Sequence, residues 1–112
     1  MLKSKYRLKK RKEFAYVYKK GIKINQGDIS LYFVKSKFKY PRFGISVSNK
    51  VGNAVTRNLI KRRLRAVLYN YVDKISSKNI IIVAHPTIVN LTFEQISNQV
   101  EKIFVKGKVL DE

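Results

Sequence analysis

Hydrophobic and polar residues alternate strictly along two stretches of this chain. In DISLYFV, Ile29, Leu31 and Phe33 fall on one side and Ser30, Tyr32 and Val34 on the other. In RFGISVS, Phe43, Ile45 and Val47 oppose Arg42, Gly44, Ser46 and Ser48. A period of two predicts half-buried strands. Together they make a sheet with one greasy face for a helix and a second face that is small and polar apart from Tyr32 and Val34. NIIIVA is an unbroken apolar run, the pattern of a strand buried on both faces. Elsewhere the period lengthens. RKEFAYVYKKG predicts a helix ending at Gly21, read as a C′ glycine, with Lys19 and Lys20 in the last turn where cations suit the dipole. Phe14, Val17 and Tyr18 share its face, and Tyr16 points elsewhere. Gly52 and Asn53 stop the second strand, and Asn53 is placed to cap a helix running to about Tyr71. Its core stripe is Ile60, Leu64, Val67 and Tyr71. Thr92 to Gln95 forms a T-x-x-Q capping box, with Leu91 and Ile96 as a hydrophobic staple. Phe93, Ile96, Val100 and Ile103 give the last helix its apolar side. The order of elements predicts one α/β domain over residues 1–112, three helices with a sheet of about four strands.

Charge changes this picture. The chain carries 25 Lys plus Arg against 7 Asp plus Glu, a net charge of +18. Such an excess opposes compaction by self-repulsion, so a polyanionic partner explains it better than a merely solvated surface. The distribution is more telling than the total. Residues 1–23 hold ten bases and Glu13 alone among acids, and ten further bases lie between Asp28 and Asp73 with no acid among them. From Asp73 onward five bases meet five acids. The first two thirds of the chain are therefore the binding half. No cysteine is present, which excludes disulfides and thiolate metal sites. The longest apolar run, Ile80 to Ala84, is far too short to span a bilayer. The basic N-terminus lacks the apolar core of a signal peptide. A cytoplasmic protein without a membrane role is expected, monomeric as the isolated chain.

The sharpest feature is GNAVTRNLIKRRLRAVL, which spans Gly52 to Leu68 without one acid. On a helical wheel Arg57, Lys61 and Arg65 form a cationic stripe beside the core stripe, with Asn58 and Arg62 on its flank and Arg63 outside it. Arg57/Lys61 and Lys61/Arg65 are like-charge i,i+4 pairs, and Arg62/Arg65 is an i,i+3 pair. Each costs about 0.2–0.5 kcal/mol. A solvated helix would relieve that with Glu. A phosphate backbone relieves it too, and adds counterion release and bidentate contact with the guanidinium forks. Beside the charge stand aromatics. A helix crossing the polar sheet face would gather Phe14, Tyr18 and Tyr32 into a groove, a platform on which single-stranded bases stack. Ordinary packing accounts for Phe14 equally well. Tyr32 is harder to explain that way, because its strand already has a separate apolar face. The acids Glu13, Asp28, Asp73, Glu94, Glu101, Asp111 and Glu112 show no paired spacing. The single histidine, His85, ends a strand before Pro86, and no Gly-rich phosphate loop is present. Nothing points to catalysis by the polypeptide alone.

YRLKKRKEF at 6–14, FGISVSNKVGNAVTRNLIKRRLR at 43–65 and NIIIVAHP at 79–86 together resemble the protein component of bacterial ribonuclease P, in order and across essentially the whole chain. The resemblance implies a compact α/β (α+β) sandwich with a mixed sheet and a left-handed βαβ crossover, against the usual right-handed rule. It implies a protein cofactor of a holoenzyme whose RNA subunit is the catalyst. That RNA removes the 5′ leader of precursor tRNA by Mg²⁺-dependent hydrolysis, with the metal held mainly by RNA. By the same resemblance Arg57, Asn58, Lys61, Arg62 and Arg65 contact the RNA subunit, with Lys50 and Asn53 as further contacts. Phe14, Tyr18 and Tyr32 map onto the cleft for the single-stranded leader. Two positions depart from the family pattern: Leu59 stands third in the Arg-Asn-Arg motif, and Asn49 stands where many relatives have a base. Two rivals remain from the residues alone. A structural RNA-binding protein, ribosomal or an assembly factor, fits the charge but leaves the aromatic face unexplained. A protein-only nuclease is opposed by the scattered acids.

Overall fold

The computed structural model describes residues 2–112. Helix α1 (Arg11–Lys20) leads into strands β1 (Ile22–Gln26), β2 (Ile29–Lys35) and β3 (Arg42–Val47). Helix α2 (Ala54–Tyr69), strand β4 (Lys78–Ala84) and helix α3 (Phe93–Gly107) follow. The strands form one sheet in the order β1-β2-β4-β3, with β3 and β4 parallel and the other pairs antiparallel. This is the three-helix, four-stranded mixed architecture expected.

Strand β1 is the element that alternation did not reveal. IKINQ is short and mostly polar. It is held by register, Ile22 opposite Phe33 and Gln26 opposite Ile29, which leaves a two-residue turn at Gly27 and Asp28. Gly27 has φ +56°, a left-handed value that glycine takes without steric cost. Gln99 secures the turn from α3, accepting from the Asp28 amide at 2.8 Å and donating to the Asp28 carboxylate at 2.7 Å. The Thr87 hydroxyl also donates to that carboxylate. With Gln99, this holds the Asp28 carboxyl below its ordinary pKa.

The two faces of the sheet carry separate cores. Ile29, Leu31, Phe43, Ile80, Ile82 and Ala84 pack under α2 and α3, which contribute Ile60, Leu64, Val67, Leu68, Ile96, Val100, Ile103 and Phe104. The opposite face is not bare. There Ile81 joins Leu8 and Val17 of the α1 region, with Phe14, Tyr32, Val34 and Val83 at the margins. NIIIVA thus serves both cores, as its unbroken pattern requires. Three details differ from expectation. Helix α2 ends at Tyr69, so the buried Tyr71 sits in the following turn and Leu68 completes the helical stripe. Phe93 opens α3 and is 45% exposed, and Phe104 takes the place it was given in the core. Gly21 does close α1, but with extended backbone at φ −78°. Space, not handedness, demands glycine: a Cβ there would lie 2.4 Å from the Val17 carbonyl oxygen and 2.8 Å from that of Phe33.

Candidate nucleic-acid interface

Helix α2 begins where Asn53 accepts from the Thr56 amide at 2.9 Å, the cap its sequence suggested. Thr92 and Gln95 exchange the two capping-box bonds of α3 at 3.1 and 2.9 Å. With α2 fixed at its start and clamped along Ile60, Leu64, Val67 and Leu68, its remaining faces are set. They do not form one comb. Arg57 folds back, and its guanidinium donates to the Gly52 carbonyl at 2.7 Å. Asn58, Arg62 and Arg65 instead continue to Ala66 and Tyr69 along one wall of a groove of about 640 Å³, with Arg7 of the N-terminal segment across from them. Lys61 turns into a smaller cavity of about 120 Å³, shared with Arg65, Arg7, Leu8, Phe14, Phe43 and Ile45. Lys50 is exposed on the 3₁₀ turn Asn49–Val51 that precedes the helix. Leu59 is half-buried, consistent with its position off the cationic stripe. Among the described residues, the only ion pair joins Arg42 to Glu13 at 2.5 Å. Every α2 cation therefore lacks a carboxylate partner.

That ion pair positions α1 on the sheet. Burial alone would raise the Glu13 carboxyl, but hydrogen bonds from the Lys10 amide, the Arg42 guanidinium and the Lys9 amide outweigh it and hold the group below its ordinary pKa. So anchored, α1 crosses the sheet along the row where Gly44 and Tyr32 both pair with Ile81. Phe14 lies on Gly44 so closely that a Cβ there would sit 2.7 Å from its ring carbons. At the other end of α1, Tyr18 meets Tyr32 edge to face, ring centroids 4.8 Å apart and planes at 81°. The Lys23 ammonium stands 5.6 Å from the Tyr32 ring centre. The three predicted aromatics thus share one face, Phe14 at the β3 side and the tyrosine pair at the β2 side. One row further along this face, buried Ser30 donates to Asn25 Oδ1 at 2.5 Å. Its oxygen is 2.7 Å from His85 Nε2 and has only acceptor capacity left, so that nitrogen carries the proton. His85 is a structural partner within this floor.

The strand edge of β3 joins the two surfaces. Leu8 donates its amide to the Phe43 carbonyl at 2.8 Å, and Arg7 bridges to Phe43, so the N-terminal segment runs along that edge between α1 and α2. Phe14, Lys61 and Arg65 consequently line one cavity. Arg7, Lys23 and Tyr69 join these surfaces although none was expected there. Arg7 lies in an extended segment whose placement depends on pairing with a distant strand. Lys23 belongs to the overlooked β1. Tyr69 was legible, since Asn58, Arg62, Arg65 and Tyr69 follow spacings of four, three and four along one helical side.

The family model described as Ribonuclease P matches residues 2–108. The chain is 38% identical over 112 residues to the "Ribonuclease P protein component" of Enterococcus faecalis, covering 98% of this chain and 95% of that one. It is 32% identical over 111 residues to the protein of the same description from Streptococcus equi subsp. equi, covering 99% and 93%. The solved structure of the Staphylococcus aureus RNase P protein superposes with a TM-score of 0.89 at 37% identity, covering 95% of this chain and 98% of that one.

Proposed function

The chain belongs to the ribonuclease P protein component family, and from that premise we propose how its surfaces divide the work of the tRNA-processing ribonucleoprotein. As a family member it associates with ribonuclease P RNA. In the proposed arrangement α2 docks on that RNA through Asn58, Lys61, Arg62 and Arg65, with Lys50, Asn53 and Arg57 at the helix start. The groove of Phe14, Tyr18 and Tyr32 takes the single-stranded 5′ leader of precursor tRNA. One observation carries the reading: Phe14 lines the same cavity as Lys61 and Arg65. The cationic and aromatic surfaces therefore adjoin at Phe14.

The polypeptide's part is to bind and orient. Cations without carboxylate partners neutralise phosphates, and the aromatic rings offer sequence-tolerant stacking to leader bases. Two of the chain's acids are engaged by the fold, Glu13 by Arg42 and Asp28 by Thr87 and Gln99. The Mg²⁺ of the reaction is assigned to the RNA subunit, and no step is routed through this protein's carboxylates. The isolated protein is proposed to be a monomer.

Reconstitution tests the assignment. The purified chain, mixed with ribonuclease P RNA and precursor tRNA at low Mg²⁺, is expected to stimulate leader removal. Cleavage without the RNA would support the nuclease rival, and RNA binding without stimulation the structural binder. The phosphate contacts have their own readout. Arg62→Ala and Arg65→Ala are each expected to reduce the slope of log affinity against log salt by about one unit. A slope equal to that of the unmodified protein would remove these residues from the phosphate-binding set.

A further inference from the structure

The larger groove beside α2 does more than a flat phosphate-binding surface requires. Its wall carries Arg62 and Arg65, Arg7 faces them, and Ala66 and the ring of Tyr69 supply an apolar lining. Tyr69 is 44% exposed, and among the described residues its ring has no aromatic or cationic partner. Phosphates are served by cations alone. An open aromatic face in a concavity of about 640 Å³, roomy enough for a nucleotide, suits something planar and apolar that carries a negative charge beside it. Bases in a duplex are stacked and unavailable, whereas an unpaired base can be splayed out onto an aromatic ring. Asn58, on the same wall, has a side-chain amide that both donates and accepts.

We infer that this groove is a nucleotide pocket: one unpaired nucleotide of the RNA subunit inserts there, its base stacked on Tyr69 and its phosphates held by Arg7, Arg62 and Arg65. The inference rests on the proposed docking of α2 on that RNA and adds a specific, uncharged contact to it. Base stacking does not involve counterions, so its loss leaves the salt dependence alone. This separates Tyr69 from the arginines around it.

The test measures affinity for ribonuclease P RNA across a salt series. Tyr69→Ala is expected to weaken binding roughly 5- to 150-fold with an unchanged salt slope, while Tyr69→Phe stays within about twofold. A second variant reads the contact directly. The chain has no tryptophan, so Tyr69→Trp introduces a single tryptophan, excitable apart from the remaining tyrosines, at an exposed position. Its emission is expected to be quenched at one equivalent of RNA subunit and left unchanged by a fully paired RNA duplex. The proposal is overturned if Tyr69→Ala binds within twofold of the unmodified protein. It is equally overturned if the tryptophan is quenched by duplex as by the RNA subunit, or only when precursor tRNA is added. Failure of the unmodified protein to bind the RNA would instead sink the functional reading beneath it.

Discussion

Leu64→Ala is expected to lower the unfolding free energy by about 2–5 kcal/mol, the cost of a cavity at a fully buried leucine. Leu64 is 0% exposed and lies in the core that joins α2 to the sheet and α3. Domains of this size hold about 5–15 kcal/mol in all, so the change removes a large share of the total. It falls on a helix already burdened by unrelieved like-charge pairs, which is why Leu64 is a sensitive point. Leu64→Met, close in volume, is expected to cost less than about 1.5 kcal/mol. Thermal unfolding with and without RNA makes the argument specific. RNA at about 100 times its dissociation constant stabilises the folded state by roughly 2.7 kcal/mol through linkage, and should therefore restore much of the lost stability. If Leu64→Ala cost less than 1 kcal/mol, α2 would not be clamped along this stripe, and the placement of its arginines would lose its basis.

The division between what the chain's pattern reveals and what it hides follows the range of the interactions concerned. Elements with a local pattern were readable: β2 and β3 from alternation, β4 from its unbroken apolar run, α2 from its Ile60/Leu64/Val67 stripe and the start of α3 from its capping box. The meeting of Tyr18 and Tyr32 was readable too, because a helix crossing the polar face of the sheet brings the two rings together. Strand β1 was not, since IKINQ owes its place to pairing with β2 and to Gln99 reaching the Gly27–Asp28 turn from 71 residues away. The wheel also assigned charge by Cα direction alone. Arginine side chains are long, so Arg57 could bend back to Gly52, and the open stripe moved to Asn58, Arg62 and Arg65. Arg7 reaches the site only because the N-terminal segment pairs along β3, a contact that leaves no local signature.

The tyrosine pair under α1 is the strongest functional probe. Tyr32→Ala is expected to weaken binding of leader-bearing precursor tRNA to the holoenzyme roughly 5- to 150-fold, the worth of one stacked base, and to leave binding of mature tRNA within about twofold. Equal loss for both substrates would place the leader elsewhere. The geometry makes a further demand. Tyr18 and Tyr32 stand edge to face at 81°, so they form a corner and not two parallel shelves. One base stacked in that corner uses both rings, and the pair's own contact contributes about 0.5–1.5 kcal/mol. Tyr18→Ala should therefore produce much of the Tyr32→Ala defect, and the double variant should fall well short of the product of the two. Such non-additivity is the signature of residues acting as a unit. Fully multiplicative losses would mean that each ring holds its own base, and the leader path over α1 would have to be redrawn with two stacking positions.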